Sequence, residues 1–260
     1  MGHKESPCGY GKNAADNPLR VESVEEPLAL NSTARLAVPH SSTCENSSYP
    51  AAERVCAARH IVGTSLDGSA RDILIQTAQH LEDSVYEEKF SERTTHVVCG
   101  APRRTINVLY AIANGCWLIS TEWVLQSLSA GGWLDEENYE LVEKFPGAKV
   151  ARLERKLFYE EHGSRGKYVP TIFKGYVIYV DSNTSPPKQI LSTLIHAGGG
   201  ETTEIPSDAN LFVANHSFDN NKPTVTVYWI LDSVEAHIAL EMDDEYLASQ
   251  KYNTCGSPEI

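Results

Sequence analysis

A short apolar strand that turns at once into a helix, and does so twice, constrains this chain more than any other feature. In Gly115-Cys116-Trp117-Leu118-Ile119-Ser120-Thr121-Glu122-Trp123-Val124-Leu125-Gln126-Ser127-Leu128, the run Trp117-Leu118-Ile119 after a glycine reads as a buried strand. Ser120 or Thr121 is placed to cap a helix that carries Trp123, Leu125 and Leu128. A weaker copy, Trp229-Ile230-Leu231-Asp232-Ser233, follows Thr224-Val225-Thr226-Val227-Tyr228 and matches Trp123-Val124-Leu125-Gln126-Ser127 in character. The tryptophans at 123 and 229 lie 106 residues apart, so one supersecondary unit is predicted twice.

The rest of each unit follows from local patterning. His60-Ile61-Val62-Gly63 reads as a strand, and the polar turn at 64–69 ends on Ser69, a candidate cap for a helix bearing Ile73, Leu74, Ile75, Ala78 and Leu81. Residues 85–90 and Thr95-His96-Val97-Val98 are two more strands. Residues 104–113 carry Ile106, Leu109, Ile112 and Ala113 at helical spacing, and Gly115 stops them. The order strand-helix-strand-strand-helix-strand-helix implies an α/β fold, a small parallel sheet with helices on both faces. In the second copy, 175–180 is a strand, Pro187 starts a helix with Ile190, Leu191, Leu194 and Ile195, and Gly198-Gly199-Gly200 terminates it. Leu211-Phe212-Val213 is another strand, but polar 215–223 takes the place of the second helix.

These boundaries divide the 260 residues into a segment 1–55, a first repeat 56–146, a linker 147–170, a second repeat 171–252 and a tail 253–260. Residues 1–55 hold too little apolar surface to offset ordering entropy and are expected to be disordered. The linker is a basic island, with Lys149, Arg152, Arg155, Lys156, Arg165 and Lys167 in a chain of net charge −13. That acidic excess argues against general affinity for nucleic acid, so any anion site must be local. Six cysteines, at 8, 44, 56, 99, 116 and 255, form no C-x-x-C and no metal-like spacing with histidine, and read as reduced thiols. Neither a metal nor a cofactor is expected, and no apolar run reaches the roughly 18 residues that would span a membrane. An apolar signal segment is missing from residues 1–30, so secretion is not expected. G-x-S-x-G, H-E-x-x-H, P-loop and G-x-G-x-x-G are all absent, which points away from an enzyme.

Gly115-Cys116-Trp117 with Trp123, preceded by Thr94-Thr95-His96-Val97-Val98 and by Arg104-Thr105, resembles a BRCT repeat. Trp229-Ile230-Leu231-Asp232-Ser233 resembles the final helix of a second, and the likeness covers residues 57–250. It implies two four-stranded repeats packed head to tail that bind phosphoserine peptides across the cleft between them. It places the phosphate on the Thr64 hydroxyl, the Ser65 N–H and Thr105, at the mouth of a helix whose N-terminus favours an anion. Where the family carries a lysine, this chain has Asn107. A charged hydrogen bond contributes about 1.5–3 kcal/mol against about 1 for a neutral one, so the site should be weaker unless Arg103 or a linker cation compensates.

The same resemblance places Arg104 beyond the phosphate, beside a wall of Leu109, Ser185 and Pro186 with room for an aromatic ring. That combination suits a phosphoserine near a free C-terminus ending in tyrosine, as on the damage-phosphorylated tail of a variant core histone. A monomeric nuclear reader in the DNA damage response and cell cycle is the expectation. Ile106, Leu109 and Ile112 should face Ile190, Leu194, Val234 and Ile238 and fix the cleft. On residue chemistry alone, Thr64, Ser65 and Thr105 would be turn and capping residues, and Trp117, Trp123 and Trp229 core anchors. The alternative function is a constitutive protein–protein scaffold with a vestigial phosphate pocket.

Overall fold

The computed structural model describes residues 58–163, 166–217 and 221–248, so the expectations for 1–55 and 253–260 lie outside the described residues. The first repeat runs β1 (Arg59–Thr64), α1 (Gly68–His80), β2 (Ser84–Glu87), β3 (His96–Cys99), α2 (Ile106–Asn114), β4 (Trp117–Ser120) and α3 (Thr121–Ala130). All its strands are parallel, in the order β2-β1-β3-β4. After α4 (Pro146–His162), the second repeat runs β5 (Val177–Val180), α5 (Lys188–Ala197), β6 (Glu201–Thr202), β7 (Leu211–Val213), β8 (Thr224–Val225) and α6 (Val227–Ala236), with parallel order β6-β5-β7-β8. Every residue of β3 and of β7 is buried, as expected of strands covered by helices on both faces. Among the described residues between β7 and β8 there is no helix.

The repeated tryptophan has the same job in both copies. Trp123 Nε1 donates to the Leu134 carbonyl at 2.9 Å while the Leu134 N–H donates to Ser127 Oγ at 3.1 Å. Trp229 Nε1 donates to the Leu240 carbonyl at 2.9 Å and the Leu240 N–H to Ser233 Oγ at 3.1 Å. Each indole fills a core and its N–H, with the serine one turn on, ties down the chain leaving the helix. A buried indole needs such an acceptor. Trp117 differs: it is half-buried under the Arg152 guanidinium, 3.6 Å from the ring centre.

The second repeat's core is closed on its α5 and α6 side by α2 of the first repeat. Leu109 and Ala113 join the second repeat's core with Leu191, Leu194, Ile195, Leu231 and Val234, and Ile106 and Ile190 pack against it. The expected interface is corrected at two positions. Ile112 turns inward to Val97, Leu118 and Phe145 of the first repeat, and Ile238, past the end of α6, is 61% exposed. A helix wedged between two cores splits its apolar residues between them, and periodicity does not say which residue serves which core.

Within the stretch that joins the repeats, α4 packs its Ala148 and Ala151 into the first repeat's core. Gly115, at φ +61 where α2 ends, makes that approach possible, since a Cβ there would lie 2.8 Å from the Ala151 carbonyl oxygen. Asp67, not Ser69, caps α1, accepting from Ala70 N at 2.8 Å and from Ser69 Oγ at 2.7 Å.

Candidate functional site

The C-terminal ends of the parallel strands open onto the turn after β1, the usual place for ligands on such sheets. Thr64 Oγ1 lies 2.8 Å from Thr105 Oγ1. Thr105 is the N-cap of α2 and its hydroxyl accepts from Val108 N at 3.2 Å. When Thr105 donates its own proton to Thr64, the Thr64 O–H is left to donate outward, which is what an oxyanion requires. Ser65 follows at φ +50. Its carbonyl accepts from Ala101 N at 3.1 Å, and the Thr64 carbonyl from Gly100 N at 3.0 Å, so both carbonyls of the turn are already engaged. Gly100 is required there: a Cβ would sit 2.4 Å from the Ser65 carbonyl oxygen.

The remaining expected residues divide. Asn107 is half-buried in the first turn of α2, and its side-chain amide has no hydrogen-bond partner among the described residues. Arg104 ties the repeats together, its Nη1 donating to Asp232 of α6 and, at 3.1 Å, to Glu235 Oε2. Leu109 is 1% exposed and serves the inter-repeat core, where it was also expected. Ser185 is exposed and Pro186 half-buried, just before α5. The structure therefore joins Thr64, Ser65 and Thr105, and gives Arg104 two acidic neighbours that sequence reasoning missed. Asp232 was visible only as part of the tryptophan repeat.

Two of the α4 cations are committed elsewhere. Arg152 makes a two-point contact with Glu140 at 2.8 and 2.9 Å, and Arg155 Nη1 donates to the Asn114 carbonyl at 3.0 Å. A cavity of about 460 Å³ beside the β1 turn is lined by Ser65, Leu66, Asp67, Gly100 and Arg103, among others. Among the described residues no group of three or more His, Cys, Asp or Glu could hold a metal ion, and no helix is long and apolar enough to cross a membrane.

A family model for the BRCA1 C Terminus (BRCT) domain matches residues 53–128, and a second BRCT domain model matches residues 171–245. The chain is similar to microcephalin of Colobus guereza, 38% identical over 183 residues that cover 69% of this chain and 21% of that protein. Microcephalin of Homo sapiens is 36% identical over 196 residues, 74% of this chain and 22% of that protein. The chain thus spans between 21% and 28% of the length of the first microcephalins it matches. Among solved structures, the BRCT5-BRCT6 domains of S. pombe Brc1 align at 17% identity and TM-score 0.48, covering 74% of this chain and 97% of that one. Rtt107p in complex with a phosphorylated histone aligns at 12% identity and TM-score 0.48, covering 73% and 91%.

Proposed function

Because the chain belongs to the BRCT family and carries two of its domains in tandem, we propose that it binds phosphoserine peptides, the phosphate resting on Thr64, Ser65 and Thr105 with Asn107 beside them. The observation that carries this is the 2.8 Å hydroxyl pair of Thr64 and Thr105, which leaves one O–H to donate outward beside the Ser65 N–H. The turn opens at the approach to α1, and a half-buried amide with no internal partner among the described residues, Asn107, stands on the adjoining helix.

The peptide we propose is the damage-phosphorylated C-terminal tail of a variant core histone, read in the nucleus. Asp232 and Glu235 engage only Nη1 of Arg104, so its Nε and Nη2 remain for a peptide carboxylate, with Ser185 and Pro186 flanking the path. The two acidic neighbours also repel a carboxylate, which sets a modest ceiling on this contact. The net charge of −13 over the 260 residues holds the chain off bare DNA. Titration of a phosphoserine peptide ending in tyrosine, its C-terminally amidated form and its unphosphorylated twin tests both parts. The phosphopeptide should bind well above the twin, and amidation should weaken it by more than about 0.5 kcal/mol, less than even a modest charged hydrogen bond. A smaller amidation effect removes the histone-tail assignment and leaves phosphate recognition standing.

A second reading, a constitutive protein–protein scaffold, is favoured by Asn107 in the lysine position and by the internal pairing of Arg104. Equal affinity for the phosphorylated peptide and its twin is the result that selects it.

A further inference from the structure

We propose that Arg103 supplies the cation of this phosphate site, in place of the charge that Asn107 lacks; the inference rests on the phosphoserine reading above. The backbone tethers it there. The Ser65 carbonyl accepts from Ala101 N at 3.1 Å, and the Ala101 carbonyl accepts from Arg103 N at 2.7 Å, so two successive hydrogen bonds join the phosphate turn to Arg103. Both Ser65 and Arg103 line the cavity of about 460 Å³ at the strand ends.

The state of its side chain separates Arg103 from most of the other candidate cations; Lys149 of α4 is also exposed and without an acidic partner among the described residues, but no backbone hydrogen bond joins it to the β1 turn. Arg104 is held by Asp232 and Glu235, Arg152 by Glu140 and Arg155 by the Asn114 carbonyl. Lys156 lies near Glu160, and Lys167 near Glu92. Arg103 is exposed, and its guanidinium has neither an acidic partner nor a hydrogen-bond acceptor among the described residues. The cavity does hold one carboxylate, Asp67, but its charge is directed to the start of α1, where it accepts from Ala70 N and Ser69 Oγ. A guanidinium whose donors have no acceptor among the described residues, on the same cavity as the Ser65 turn, is matched to a phosphate dianion. Neither a neutral asparagine nor a pair of threonine hydroxyls supplies the charge-assisted bond such a ligand favours.

The experiment is a calorimetric titration of the chain with a phosphoserine peptide and its unphosphorylated twin. It compares the unaltered chain, Thr64→Ala, Arg103→Ala and the double variant Arg103→Ala/Asn107→Lys. Arg103 is exposed, so Arg103→Ala should unfold at the unaltered temperature. It should lower phosphopeptide affinity about tenfold while the twin is unaffected, and Asn107→Lys in that background should restore most of the loss by returning the charge from the neighbouring helix. If Arg103→Ala leaves phosphate selectivity intact while Thr64→Ala abolishes it, Arg103 is not the cation and the phosphoserine reading survives. If Arg103→Ala weakens both peptides equally, its contact is with an acidic residue elsewhere in the peptide and the proposal is overturned. If the unaltered chain does not discriminate the two peptides, the phosphoserine reading and this proposal fail together.

Discussion

Thr64 and Thr105 hold their hydroxyl oxygens 2.8 Å apart across 41 residues of sequence, one at the end of β1 and the other as the cap of α2. The contact couples ligand recognition to helix stability. Thr64→Val, which keeps the shape and removes the hydroxyl, should weaken phosphopeptide binding by about 1–3 kcal/mol with little change in stability. Thr105→Ala should lose binding and also about 1 kcal/mol of stability, because Val108 N loses its cap, and Thr105→Ser should retain both. Titration paired with urea denaturation checks the split.

The joint between repeats should show in the contrast between two apolar residues. Leu109 is 1% exposed in the shared core and Ile238 is 61% exposed. Leu109→Ala is expected to cost about 2–5 kcal/mol, and Ile238→Ala within about 0.5 kcal/mol of nothing. Equal effects in denaturant titrations would contradict the assignment of α2 as the shared helix.

Arg152 should be one of the least replaceable charges. Its side chain is 11% exposed and that of its partner Glu140 1%. Arg152→Ala strips the Trp117 face and leaves a buried carboxylate uncompensated, for an expected loss of about 3–5 kcal/mol. Arg152→Met with Glu140→Gln should recover most of it, because neither residue is then charged. Thermal unfolding of the single and double variants distinguishes these outcomes.

His96 should make the fold sensitive to mild acid. Burial holds its imidazole below the ordinary histidine value, against the pull of Glu136 Oε1 at 3.1 Å and with the Arg59 charge nearby. The folded chain therefore keeps His96 neutral where the unfolded chain takes up a proton, and stability falls as pH drops through the unfolded value of about 6.5. His96→Gln should flatten the stability profile between pH 7 and 5, as denaturant titrations across that range would show. Glu87 and Glu136 sit below the ordinary carboxylate value and act only in stronger acid, so they leave that window unchanged.

The element order, the two anchoring tryptophans and the turn that bears Thr64 and Ser65 were determined by the sequence itself. Strand runs, helical spacing, glycine stops and capping residues act over a few neighbours and leave their pattern in the chain. The partners of the charges were decided only by the tertiary structure. Arg104 finds Asp232 at a separation of 128 residues and Glu235 at 131, and no local pattern tells a cation reserved for a ligand from one tied across an interface. The same holds for Ile112, which shares a helical stripe with Leu109 yet serves the other core. It also holds for α4, whose basic residues read as a linker until Ala148 and Ala151 are seen in the core and Arg152 against Glu140 and Trp117. Periodicity records that a residue is buried, whereas what it is buried against depends on packing between segments distant in the chain.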